Sequence, residues 1–180
     1  MASYLEIVDT AVKIGLGAII SGAAAFFLAR GNHGAERIKL LLERKLGNME
    51  QAAREFNEYA NAFSQLLSAI DGVRIAQKND DPLDLSLQAN KPKYDFILAK
   101  DLMFCEKREN LIHIYSRLRL LGADDAAELI RQLPELESKV REPVLFYKSL
   151  PSDYEIKAAM YQVTKIRTEF YDVLQKHYKV

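Results

Sequence analysis

The stretch MEQAAREFNEYANAFSQLLSAIDGV, Met49 to Val73, places apolar residues at steps of three and four: Met49, Ala52, Phe56, Tyr59, Phe63, Leu66, Ile70 and Val73. That period keeps one face of a helix apolar and is the pattern of a coiled-coil or bundle seam. Traced backward, the register continues through Lys45, Leu42, Ile38 and Ala35, with Lys45 as its one polar interruption. Gly47-Asn48 beside it is a point where the helix is expected to bend or loosen.

Toward the C-terminus, KNDDPLDLSLQANKPK (Lys78 to Lys93) holds two prolines among Asp and Asn residues and reads as a loop. A second helix is expected from about Asp95 to Leu121, stopped by Gly122. Asp125 and Glu128 have capping-box spacing at the head of a third helix, whose apolar register is Leu129, Leu133, Leu136 and Val140. Pro134 falls inside that pattern and predicts a kink or restart, and Pro143 marks another bend. Ser152 and Glu155 form a second capping box, after which Ile156, Ala159, Val163, Ile166, Phe170, Val173 and His177 carry the last helix. No strand pattern is found. The fold class is therefore all-α. Its amphipathic segments can bury their stripes only against one another, which predicts an antiparallel four-helix-bundle-like domain with a long first helix.

Upstream of the seam stands KIGLGAIISGAAAFFLARGNHG, Lys13 to Gly34. From Ala11 to Ala29 there are 19 residues whose only charge is Lys13. At about 1.5 Å per residue such a helix spans roughly the 30 Å hydrocarbon core of a bilayer. Glu6 and Asp9 precede the first lysine, which speaks against a cleaved export signal despite an A-x-A pattern at Ala23 and Ala25. A buried helix of a soluble protein is the competing reading of the same run. The span reading also sets an orientation: Arg30, Arg37, Lys39, Arg44 and Lys45 follow the run, and basic flanks stay cytoplasmic. The expected division is a tail and transmembrane helix over residues 1–30, a linker and basic stalk over 31–48, and a cytoplasmic bundle over 49–180. Gly31-Asn32-His33-Gly34 is expected to be a flexible break. The five basic residues are candidate contacts to anionic lipid headgroups, each contributing about 1 kcal/mol when close to the surface; the alternative is a solvated face paired with Glu36 and Glu43. Gly17, Ser21, Ala25 and Ala29 recur every fourth residue and form a smooth face on which spans can pack, making a homo-oligomer the expected state.

Composition narrows the functions. Lys plus Arg and Asp plus Glu are each 25 of the 180 residues, so no overall basic excess exists to drive nucleic-acid binding. The lone cysteine, Cys105, cannot form an intrachain disulfide and agrees with a reducing compartment. Histidines are confined to His33, His113 and His177, and Glu109 precedes His113 by four residues where a di-iron bundle uses three, so neither metal nor cofactor is expected. The run EKREN, Glu106 to Asn110, interrupts an otherwise apolar helix and puts Arg108 or Glu109 where a core residue belongs. Either the helix breaks there or a polar layer or partner surface begins.

The string RENLIH, Arg108 to His113, resembles the motif of HEPN-type ribonucleases, in which Arg and His of two subunits meet at a dimer cleft and cut RNA without a metal. That resemblance implies Arg108 and His113 as a catalytic pair. The competing reading is a polar helix face with Glu109 and His113 one turn apart. The leading expectation remains a non-catalytic, single-pass interaction or assembly module of a bacterial inner membrane, its bundle presented to an unidentified protein partner. A membrane-perturbing oligomer is the third reading.

The small-residue ladder makes its own prediction. Gly17→Ile with Ala25→Ile should abolish crosslinking between labelled copies in a bilayer, whereas Ile19→Leu with Phe27→Leu should preserve it, because close backbone approach is the source of attraction between helices in lipid.

Overall fold

The computed structural model describes the backbone of residues 4–76 and 83–178, with side chains described from residue 36 onward within those ranges. All its elements are helical: α1 Tyr4–Ile75, α2 Lys91–Arg108, α3 Leu111–Leu120, α4 Asp124–Ile130, α5 Leu133–Leu145 and α6 Asp153–Tyr178, with a short 3-10 turn over Gln88–Asn90. The chain divides into two compact units, residues 1–45 and 46–180.

In the first unit the helix continues through Gly31-Asn32-His33-Gly34, where a flexible break was expected. The i→i−4 ladder tolerates glycine at about 1 kcal/mol each when its neighbours favour helix. The expected span, with Gly17, Ser21, Ala25, Ala29 and Arg30, lies outside the residues whose side chains are described. Among the described residues no helix is long and apolar enough to cross a membrane. Arg37, Lys39 and Arg44 are exposed and Lys45 is partly buried. Lys39 approaches Glu43 at 3.9 Å, an exposed pair of little energetic weight. Ile38 and Leu42 continue the seam register but are exposed, as is Leu41 beside them.

In the second unit the seam behaves as its period predicts. Met49, Ala52, Phe56, Tyr59, Phe63, Leu66, Ile70 and Val73 are all buried. The helix passes Gly47 without interruption, and a Cβ added there would meet open space. An aromatic core forms around the seam. The Phe56 ring lies 4.2 Å from that of Phe170 on α6. Phe104 on α2 sits 5.4 Å from Tyr59 and 5.0 Å from Phe63. Such pairs add about 0.5–1.5 kcal/mol each beyond the area they bury.

The second and third expected helices each prove to be two. EKREN breaks the helix at Glu109-Asn110, separating α2 from α3. Pro134 restarts the chain in the first turn of α5, where its missing N–H leaves no bond unmade. Pro92 does the same in α2, which starts at Lys91, earlier than the sequence pattern predicts. Pro143 lies inside α5, which ends at Leu145. Gly122 ends α3 at φ 74°, a backbone state that favours glycine. The Ala123 N–H then bonds Leu118 O at 2.9 Å, closing the helix end. The Asp125/Glu128 capping box is not formed: α4 starts two residues early, with Ala123 as its N-cap, and Asp125 turns to His177 at 2.8 Å instead. The Ser152/Glu155 box is formed, with Ser152 N to Glu155 Oε2 at 2.7 Å and Glu155 N to Ser152 Oγ at 3.3 Å. The Ser152 hydroxyl, 2.7 Å from Oε2, and then the Ser152 N–H donate to the Glu155 carboxylate and hold it below its usual pKa.

On α6 the buried stripe follows Ile156, Ala159, Val163, Ile166 and Phe170, then moves to Leu174 while Val173 is only partly buried. A straight helix of 3.6 residues per turn drifts about 20° per heptad from a 3.5-residue seam, and this is where the drift shows. Lys148, between α5 and α6, takes a left-handed φ of 55°. Its carbonyl accepts the Leu85 N–H at 2.8 Å, and its ammonium donates to Leu145 O at 2.9 Å and to the Tyr94 hydroxyl. The segment before α2 is thereby tied to the α5–α6 connection.

Phe170 is fully buried against Phe56, so Phe170→Ala should cost about 3–5 kcal/mol in urea unfolding. Leu120→Ala, at a side chain 88% exposed, should stay within about 0.5 kcal/mol. A fragment of residues 46–180 should melt cooperatively by circular dichroism, since that unit owns this core.

Candidate functional site

Among the described residues of the second unit two carboxylates are buried, Asp101 on α2 and Glu137 on α5. Each occupies an apolar position of its own helix. Glu137 stands between Leu133 and Val140, and Asp101 between Ile97 and Phe104. A bare carboxylate in such a place would cost several kcal/mol, so each requires a cation and hydrogen bonds. The partners come from the opposite helix in both cases. Arg108 Nε on α2 donates to Glu137 Oε2. Arg141 on α5 donates to Asp101 from Nε at 2.6 Å and from Nη2 at 3.0 Å. Acid and base thus cross between α2 and α5 in both directions, which fixes the register of the two helices.

The layer extends into the aromatic core. Tyr59 on α1 donates its hydroxyl to Glu137 Oε1 at 2.8 Å. Burial first, and then the neighbouring Glu137 charge, push the Tyr59 phenol far above its ordinary pKa. It remains a hydrogen-bond donor at every physiological pH and cannot serve as an acid. Arg141 lies over the Phe104 ring, 5.4 Å from its centroid, and donates to Cys105 Sγ at 3.1 Å. Burial, followed by the Asp101 charge, raises the Cys105 thiol above its usual value, so it stays protonated rather than reactive. The Asp101 hydrogen bonds hold Arg141 more firmly charged than a free guanidinium. No buried side-chain polar atom among the described residues lacks a partner.

Where α2 breaks, a cavity of about 330 Å³ opens beside this layer. Leu111, Ile112 and Tyr115 of α3 and Ile130 and Pro134 near the α4–α5 junction form its walls, with Arg108, Glu109 and Arg131 as its charged lining.

Of the sequence candidates, Arg108 is therefore committed to Glu137. His113 is exposed on α3 and does not line the cavity. The structure places the two on different helices, one on each side of the break. Among the described residues no group of three or more His, Cys, Asp and Glu side chains is placed to hold a metal. Tyr59, Asp101, Glu137 and Arg141 were not singled out from the sequence. The signal that could have found them is a carboxylate inside an apolar helical register, with a basic residue four or seven positions on. In comparisons with known proteins, no family, no curated protein and no solved structure matches the chain.

Tyr59→Phe should destabilise by about 1–3 kcal/mol, because it leaves Glu137 one donor short. Glu137→Leu should cost more, since it strands the Tyr59 hydroxyl as well as freeing Arg108. The Tyr59→Phe, Glu137→Leu double variant should cost less than the sum by about 1 kcal/mol, measured by denaturant unfolding. Strict additivity would mean the two groups do not depend on each other.

Proposed function

We propose that this chain is a single-pass, membrane-anchored helical module of a bacterial inner membrane, with a cytoplasmic bundle that engages protein partners and performs no catalysis. The observation that carries this reading is α1 itself. One helix contains both the apolar run Ala11–Ala29 and the residues that form the bundle core. Tethering raises the effective concentration of modules that must meet, which suits an assembly role. Exposed large apolar side chains on the second unit, among them Leu102, Met103, Ile112 and Phe146, support a surface meant for another protein. The buried acid–base layer supports the same reading, since each of its groups serves to hold α1, α2 and α5 together. The ribonuclease alternative is weakened by the placement of Arg108 and His113 on different helices, with His113 outside the cavity that Arg108 lines.

Membrane association is tested by fractionation followed by an alkaline carbonate wash. The chain should stay in the pellet, and protease added to spheroplasts should leave the bundle uncut. Release by carbonate, or digestion from outside, would overturn the placement. His113→Ala should change no RNA-cleaving activity in the purified chain, and dye-loaded vesicles should not leak on its reconstitution. Leakage, or His113-dependent cleavage, would favour one of the alternatives instead.

A further inference from the structure

We infer that the cavity at the α2–α3 break is a binding site for a small amphipathic monoanion, a carboxylate carried on an apolar body. The inference is independent of whether the chain is anchored in a membrane. A volume of about 330 Å³ lies at the small end of the range for ligand sites, so the body it accepts is a short aliphatic chain or a single aromatic ring. Its walls suit such a body: Leu111 and Ile130 are buried, and Ile112, Pro134 and the Tyr115 ring complete an apolar lining.

The charged groups decide the headgroup. Glu137 takes the Nε of Arg108, which fixes the plane of that guanidinium at the edge of the cavity. Among the described residues no side chain takes its Nη groups, so the outer edge of the fork is left to donate to a planar acceptor. Arg131 approaches from the other wall. Its contacts to Glu128 are long, 3.3 and 3.5 Å, and both side chains are largely exposed. A pair of that kind contributes little, so Arg131 can turn to a ligand at small cost. Glu109 is the opposing charge at the mouth, with no ion pair among the described residues. Glu137 already balances Arg108, and Glu109 repels added negative charge. The site therefore favours one negative charge over two, and a carboxylate over a phosphate dianion.

The test uses the full chain both in buffer and in lipid nanodiscs, with protein-free buffer and empty nanodiscs as controls, so that it does not depend on membrane insertion. Titration calorimetry with 4-phenylbutyrate should give saturable one-to-one binding, and octanoate should compete for the same site. The uncharged 4-phenylbutanol should bind about tenfold or more weakly, because it offers no charge-assisted bond to the arginines. Arg131→Glu, at an exposed position that leaves the core intact, should weaken phenylbutyrate by a similar factor. Glu109→Gln should tighten it about threefold by removing the repulsion at the mouth. Ile112→Trp, at a side chain 69% exposed, should block binding by filling the cavity while the helical signal is unchanged. Absence of saturable heat would overturn the inference. So would equal binding of acid and alcohol, or binding indifferent to Arg131→Glu and Ile112→Trp.

Discussion

The hydroxyl of Tyr59 is the constraint on which much of this bundle depends. Its ring belongs to the seam of α1 and is fully buried between Phe56, Phe63 and Phe104, so its oxygen has no access to water. Left unpaired it would cost about 1–3 kcal/mol, and the acceptor that satisfies it is itself a buried carboxylate. Glu137 in turn requires a cation, which α2 supplies from Arg108. One polar atom in an apolar seam thus obliges three helices to keep a single alignment. The second pair, Arg141 with Asp101, repeats the constraint on the same two helices.

The same layer shapes the surface beside it. Arg108 is the last residue of α2, and the chain leaves the helix directly after it through Glu109 and Asn110. The cavity opens at that break, with Arg108 facing it on one side and Glu137 on the other. A guanidinium held by a buried carboxylate loses little further freedom when it meets a ligand, which is the usual advantage of a preorganised group. The structural role of Arg108 and its candidate binding role are therefore compatible, since they use different nitrogens of the same side chain.

α1 links two kinds of surface in one element. From Met49 onward its apolar face is covered by α2, α5 and α6, whereas Ile38, Leu41 and Leu42 of the first unit are exposed. The helix also runs through the glycines at 31 and 34, so local propensity did not decide its length. A hydrogen-bonded ladder already formed on both sides makes each added residue easier to include than a fresh nucleus would be.

Much of the architecture was legible in the sequence because helix period and punctuation are local properties. Every position named by the alternating three- and four-residue steps of Met49 to Val73 is buried, though Ala60, Leu67 and Ala69 beside that seam are buried as well, and Gly122, Ser152 and Glu155 marked helix ends that the fold uses. The EKREN run announced a break or a polar layer, and both occur there. The carboxylates at 101 and 137 were not legible as a site. A charged residue in an apolar register tells only that a partner must exist, while the identity of the partner depends on which helices pack and in which direction. Arg108 and Glu137 are separated by 29 residues, and Tyr59 and Glu137 by 78. The sequence by itself determined an all-α chain, its seam and most of its stops, because those follow from side-chain spacing and backbone preference. Only the tertiary structure decided that Arg108 binds Glu137, because that choice is made by packing across helices.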